Sequence, residues 1–425
     1  MGLAAEKAKQ QIKSLKGNLA VFLKWVLLSL LVGIVVGGAG TAFWFCMKAV
    51  TGFRMANHWV EWFLPLGGVM IVALYRVCGI KKAQGTNLVL LAVRSPEQVP
   101  LRMAPLIFIS TVITHLVGGS AGREGAALQL GGSLGFQIGR VFRLDEKDMH
   151  IITMCGMSAA FSALFGTPIA SAVFAMEVVS VGVMYYAALV PCTVAALTGA
   201  AVSRYFGGES TAFLIRGGVP QQAAMPFLQV ALLSALCAGV SVLFCYLLHG
   251  THRLYHKYLP NYYPRAAIGG ALVLLMALLC GTQDYLGAGM DVIQAAMNGT
   301  ARPEAFLLKM LFTAVTLGAG FKGGEIVPSF FVGATFGCAV GGLLGLNPAF
   351  GAAIGLIAVF CGVTNCPMTS MVISIELFGA QGAVFFLLAC AVSYMLSGYT
   401  GLYSRQKIMY SKYRPEFMGG LEKSA

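Results

Sequence analysis

Four glutamates stand in apolar surroundings where a free carboxylate has no ordinary place: Glu124, Glu177, Glu325 and Glu376. A charge at bilayer depth costs at least about 2.5 kcal/mol on insertion scales, so each needs a partner, a proton or a function. Two of them close glycine-rich breaks. Gly118-Gly119-Ser120-Ala121-Gly122-Arg123-Glu124-Gly125 leads into one helical run, and Gly318-Ala319-Gly320-Phe321-Lys322-Gly323-Gly324-Glu325 leads into another. A carboxylate there stands where backbone N–H groups and a positive dipole end would hold an anion. Plain N-terminal capping is the alternative, but Ser or Thr would cap without a charge penalty. The pattern points to a protonatable group that competes with a permeating anion. Ionised, it fills the anion's place; protonated, it leaves, and proton and anion occupancy become linked. Glu177 and Glu376 each lie nine residues after a proline, Pro168 and Pro367, at the far end of the helices those prolines begin. Their expected role is structural, each carboxylate reaching a helix end or loop.

The elements that must carry these residues are membrane helices. Of 425 residues 58% are hydrophobic and only 11% charged, against about 25% charged in soluble domains. That excludes a soluble globular protein. Stretches such as Trp25 to Val36 and Val230 to Leu248 are apolar on nearly every face, which excludes the alternation of a β-barrel. The fold class is all-α, a polytopic membrane protein. The net charge of +13 reports topology, with no nucleic acid as partner: Lys7, Lys9, Lys13 and Lys16 precede the first span, and Arg405, Lys407, Lys412 and Arg414 follow the last. By the positive-inside rule both termini are cytoplasmic and the full crossings are even in number. The first apolar run is long enough to be a retained span, not a cleaved leader. The expected divisions are a basic segment over 1–20, a transmembrane domain over 21–404 and a short cytoplasmic tail over 405–425. The eleven Cys are scattered singly and read as small buried hydrophobes. His249, His252 and His256 have helical spacing beside Arg253 and Lys257, but lack a neighbouring carboxylate or thiol to complete a metal site. They read as a basic interfacial face; no metal or cofactor is expected.

The chain also repeats. Gly85-Thr86-Asn87-Leu88-Val89 matches Gly289-Met290-Asp291-Val292-Ile293 at an offset of 204, and Gly122-Arg123-Glu124 matches Gly323-Gly324-Glu325 at 201, with Gly132 against Gly333. Gly156, Phe161, Pro168, Ser171, Val173 and Glu177 match Gly355, Phe360, Pro367, Ser370, Val372 and Glu376 at a constant 199. Three anchors in one order indicate an internal duplication with halves over about 21–205 and 225–404. Spacing alone leaves parallel and inverted repeats open. If inverted, the broken helices would meet near the midplane and present N–H groups to an anion.

Gly122-Arg123-Glu124-Gly125 after a glycine-rich run, Gly323 to Pro328 followed by Gly333-Ala334, and Gly401-Leu402-Tyr403-Ser404 together resemble the CLC family of anion channels and anion/proton antiporters, along nearly the whole chain. The resemblance implies an inverted repeat of many tilted and broken helices, a homodimer with one pathway per subunit, and a multi-pass location in a bacterial inner membrane. It also implies Glu124 as the gating and proton-transferring glutamate, and Thr86, Arg123, Gly125, Glu325, Ile326 and Tyr403 at the anion site. Three departures are informative. Thr86 takes the position of a serine and loses the glycine and proline that follow it. Val178 stands where the chloride/proton antiporters carry an inner proton-transfer glutamate. Glu325 occupies a loop position that is usually apolar. Together with Phe321 to Glu325 these resemble the bacterial fluoride-exporting branch.

Fluoride is small, strongly hydrated and a strong acceptor, so stripping its water demands strong donors, which a protonated Glu325, Thr86 and Tyr403 could supply. Glu325 could also replace the missing inner proton site. The function expected is fluoride export by fluoride/proton antiport, with fluoride or another halide, protons and membrane lipid as partners. The alternative is a chloride/proton antiporter or passive chloride channel of the same family. An enzyme using paired carboxylates as acid and base is disfavoured, because no nucleophile triad, HExxH or cofactor loop accompanies them.

Overall fold

The computed structural model describes residues 2–80, 85–95 and 98–422; the side chains of Lys7, Lys9 and Lys13 lie outside the described set. Among the described residues eight α-helices make up the first half: α1 (Gly2–Ala56), α2 (Leu64–Val77), α3 (Thr86–Ala92), α4 (Met103–Leu116), α5 (Glu124–Val141), α6 (Glu146–Phe165), α7 (Pro168–Glu177) and α8 (Leu189–Tyr205). The second half repeats the series as α9 (Ala224–Tyr258), α10 (Tyr262–Cys280), α11 (Met290–Met297), α12 (Ala305–Gly318), α13 (Ile326–Leu343), α14 (Pro348–Thr364), α15 (Pro367–Phe378) and α16 (Ala383–Leu396). Among the described residues, seven helical segments are long and apolar enough to cross a bilayer, and others are short apolar pieces. This is the architecture of broken membrane helices, whose interruptions are tolerated only where protein or a cavity covers the freed backbone.

The same local chemistry sets the boundaries in both halves. Asp145 caps α6 by accepting from the Asp148 N–H at 2.8 Å, and Asn347 caps α14 by accepting from the Ala349 and Phe350 N–H groups at 2.9 and 3.3 Å. Gly166 ends α6 and Asn365 ends α14, each left-handed, with φ of 71° and 58°. A proline then opens the next helix, Pro168 for α7 and Pro367 for α15, using a fixed φ and a missing N–H where neither is a loss. Between them the helices touch through glycine: a Cβ at Gly131 would overlap the Gly156 carbonyl of α6, and one at Gly333 would overlap the Gly355 carbonyl of α14. Without a hydrophobic drive between helices in lipid, such close packing is what associates them.

The repeats are related by a two-fold axis that sets α7 and α15 antiparallel, and reciprocal contacts show it. Gly122 and Gly324 form an isolated antiparallel bridge, each N–H donating to the other's carbonyl at 2.7 Å. Glu177 at the end of α7 accepts from the Met368 and Thr369 N–H groups at the start of α15 at 3.0 and 2.8 Å, and from the Thr369 hydroxyl at 2.6 Å. Glu376 at the end of α15 returns the contact, accepting from the Ile169 and Ala170 N–H groups of α7 at 3.0 and 2.8 Å. Residue i meeting j while j's counterpart meets i's is the mark of a two-fold axis. The expected structural role of these two glutamates takes this form: each caps the helix that carries the other.

One register differs from the sequence reading. α5 and α13 start at Glu124 and Ile326, and the bridge joins Gly122 to Gly324, so the offset here is 202, not 201. Glu325 therefore corresponds to Arg123, and Glu124 to Ile326. Matching by residue type aligned two carboxylates that occupy successive positions of the same turn.

Beyond α16 the described residues are not helical. A strand β1 (Ser180–Val181) just past α7 pairs in parallel with β2 (Lys407–Tyr410), which pairs antiparallel with β3 (Phe417–Glu422). Most of the cysteines are buried, and among the described residues all are free of disulfides.

Candidate functional site

Glu124 is the first residue of α5 and is fully buried. Its Oε2 accepts from the Arg123 N–H at 2.9 Å. Its Oε1 lies 3.7 Å from the Arg123 Nε and has no hydrogen-bond partner among the described residues. The Val327 amide in the first turn of α13 also faces this carboxylate. The carboxylate of the first repeat thus lies between the N-termini of two helices, one from each half, where dipole ends and free N–H groups converge. A small anion and this carboxylate would seek the same place.

Beside it, three side chains gather on Gly125. A Cβ there would stand 3.2 Å from the Thr86 Oγ1 and 3.5 Å from the Glu325 Oε2. Thr86 opens α3 after Gly85, whose φ of 60° favours glycine. The Thr86 hydroxyl reaches the Gly125 carbonyl at 3.4 Å, and the Gln129 amide donates to both at 3.4 and 3.3 Å. Glu325 precedes α13 but makes no side-chain cap; its Oε2 is buried without a hydrogen-bond partner among the described residues. Ile326 is fully buried as the first residue of α13.

Tyr403 is 2% exposed, its hydroxyl likewise without a partner among the described residues, and Glu325, Cys366 and Glu124 are the ionisable groups that act on it. The segment carrying it is pinned from both halves. The Leu402 N–H donates to the Val363 carbonyl at 2.8 Å. On the other side Asn87 donates to the Ser404 hydroxyl at 3.3 Å and accepts from the Arg405 N–H at 3.2 Å. Thr86, Gly125, Glu325, Tyr403 and Glu124 are thus brought together from four separate segments. Arg123 stands at the edge, its side chain 19% exposed, on a cavity of about 750 Å³ that reaches Glu124 and is walled by Arg54, His115 and Asp291 among others.

At Val178, which the family resemblance sets at the position of an inner glutamate, the backbone carbonyl accepts from the Gln406 amide at 3.1 Å. Gln406 is fully buried and also meets the Thr364 carbonyl and the Asn365 amide. An amide that cannot titrate occupies that neighbourhood.

Sequence reasoning missed the buried basic residues. Lys309 of α12 is fully buried, donating to the Tyr285 and Gly287 carbonyls at 3.0 and 2.7 Å, with its ammonium 5.1 Å from the Phe331 ring centre. Arg54 is 7% and His115 2% exposed, and both line the cavity above Glu124. A lysine in the apolar run Ala305 to Gly318 was visible by the same test that singled out the glutamates; the carbonyls that hold it, on the preceding loop, were not.

Comparison with known proteins follows the same lines. The pattern of the family described as voltage gated chloride channel matches residues 66–398. A chloride/fluoride channel protein of Pseudomonas syringae pv. tomato is 38% identical over 402 residues, covering 92% of this chain and 88% of its own. An H(+)/Cl(-) exchange transporter of Vibrio cholerae is 26% identical over 384 residues, covering 82% and 81%. Among solved structures, a CLC-type fluoride/proton antiporter superposes with a TM-score of 0.87 at 33% identity, covering 91% of this chain and 98% of that one. A slow cyanobacterial Cl-/H+ antiporter, at 0.74 and 17% identity over 88% and 94%, shares the fold.

Proposed function

This chain belongs to the voltage gated chloride channel family, the CLC proteins, and from that premise we propose that it exports fluoride from the cell by fluoride/proton antiport. The observation that carries the reading is the Glu124 carboxylate lodged between the N-termini of α5 and α13. Ionised, Glu124 excludes the anion from those N–H groups; protonated, it loses its attraction to them and fluoride takes its place. Each proton accepted from outside thereby releases the site to one anion arriving from inside.

Glu325, Thr86 and Tyr403 supply the donors that replace fluoride's water. The Tyr403 hydroxyl has no competing partner among the described residues, so it is free to point at the anion. Glu325 donates when protonated and so links a second proton to the same anion, which gives protons a stopping place in a chain with Val178 and Gln406 where a titratable inner residue would otherwise stand. Arg123 holds Glu124 from the outer cavity, and the amide of Ile326 faces the anion from α13. The Pseudomonas relative's name and the fluoride/proton antiporter's fold support fluoride as the substrate.

We place both termini in the cytoplasm of a bacterial cell, from the positive-inside rule, with the Arg54 and Glu124 cavity outside. The assembly is a homodimer with one pathway per subunit. The molecule moves ions without changing a covalent bond and is a transporter, not an enzyme. A second reading, a chloride/proton antiporter or passive chloride channel, is favoured by the chloride transporters among its relatives. The reversal potential of the purified protein in vesicles under opposed fluoride and proton gradients separates them. A value that moves with both gradients supports antiport; one set by fluoride alone would mean a channel, and larger flux with chloride than with fluoride would favour the second reading.

A further inference from the structure

A cavity of about 350 Å³ lies away from Glu124, where the C-terminal ends of α2, α9 and α12 meet the start of α10. Its ionisable walls are Arg76, Arg265, Lys322, His252 and His256, with Tyr75 and Tyr262 between them, and no described residue lining it is acidic. Arg265 is 1% exposed, yet its Nη2 has no hydrogen-bond partner among the described residues. The guanidinium is held in place from two directions: its Nε donates to the Leu259 carbonyl at 2.8 Å, and the Tyr262 ring centre lies 4.8 Å from it. Lys322 is steadied over Tyr75 at 5.1 Å and Arg76 over Tyr263 at 4.9 Å. Glu325, three residues along the loop, is the carboxylate that acts on Lys322, and it is directed to Gly125. Unpaired cations out of water are costly and call for an anion.

We propose that this cavity binds a phosphate group, that of an anionic phospholipid headgroup at the cytoplasmic surface. One halide is too small to meet cations spread around such a volume, whereas a phosphate offers several oxygens and matches the fork of a guanidinium. Basic residues interleaved with tyrosines at helix ends are the composition of the headgroup zone. The neighbouring Val77, Leu254 and Tyr258, at 87%, 58% and 66% exposure, give the acyl chains an apolar surface to lie against, which a free phosphate would not use. The basic face of α9 with His252 and His256 thereby gains a ligand.

The test uses the purified full-length protein in detergent, with retained lipid counted by native mass spectrometry after equilibration with phosphatidylglycerol or phosphatidylcholine. Wild-type protein is expected to keep phosphatidylglycerol over phosphatidylcholine by roughly tenfold, each arginine removed to cut that preference by about fivefold, and the histidine variant to cut it less. Arg265→Gln is the central variant. Because Arg265 is buried, Arg76→Gln and His256→Gln at the exposed rim keep the test intact should it fail to fold. Equal retention of both lipids by the wild type with no competition by inorganic phosphate, or unchanged preference in every folded variant, overturns the proposal. Competition by millimolar inorganic phosphate without lipid preference upholds the phosphate site and assigns it to a soluble source. Displacement by fluoride or chloride as effective as by phosphate overturns it, since the cavity would then be a halide vestibule. None of these readouts depends on transport, so a failure here is distinguishable from a failure of the antiport reading.

Discussion

Glu124 has one oxygen tied to the Arg123 amide and the other without a hydrogen-bond partner among the described residues, only the Arg123 Nε at 3.7 Å, so a proton can arrive on the second oxygen without first breaking a hydrogen bond inside the protein. That asymmetry suits a group that must change protonation during every cycle. Glu124→Ala should leave an anion pathway in which the reversal potential no longer responds to a pH gradient; a variant that still pumps protons against a fluoride gradient would remove Glu124 from the proton route. Glu325→Gln keeps a donor but cannot release a proton. Fluoride binding, read by titration calorimetry, should stay within about threefold of the wild type, a difference under about 1 kcal/mol, while the proton-to-fluoride ratio in vesicles changes. An unchanged ratio would reduce Glu325 to an anion ligand. Glu124 and Glu325 were legible as buried carboxylates because their residue type is unusual in its surroundings, whereas Thr86 and Tyr403 were marked only by the resemblance to the family. The one-residue slip that sets Glu325 opposite Arg123 was not legible, since only the backbone pairing of Gly122 with Gly324 fixes it.

Helix ends carry much of the order in the molecule. Glu177 and Glu376 each satisfy two N–H groups at the start of the other's helix, a cap formed by a charge and worth about 1–2 kcal/mol. Glu177→Ala and Glu376→Ala should each lower the melting temperature while leaving transport stoichiometry as it is; a changed stoichiometry in Glu177→Ala would give that residue a part in proton movement. Lys309→Met leaves the Tyr285 and Gly287 carbonyls unsatisfied, at about 1–3 kcal/mol each, and should be the more destabilising change in the same melting experiment. The punctuation of these elements was readable in advance: Pro168 and Pro367, the glycine-rich breaks, the matched spacing around Gly156 and Gly355. What escaped was whatever depends on a partner far along the chain. The caps' targets, the seat of Lys309 and the strand that follows Tyr403 onto β1 are set by folding in space, and the expected tail over 405–425 carried no alternation strong enough to announce its strands.

Taken as one object, the molecule is two similar halves whose bonds to each other run both ways: the bridge between the glycine breaks, the crossed glutamate caps, and Asn87 of the first half gripping the segment around Tyr403 in the second. The connection between the halves is slight by comparison, passing through the exposed pair Gly217 and Gly218, with φ of 89° and 77°. Covalent continuity at that point contributes little that the reciprocal contacts do not already specify. Cut there and expressed as two polypeptides in one cell, the halves should find each other and co-purify as a transporting complex; halves that never associate would mean the link guides assembly. The present single chain can then be understood as a heterodimer whose two subunits share one backbone.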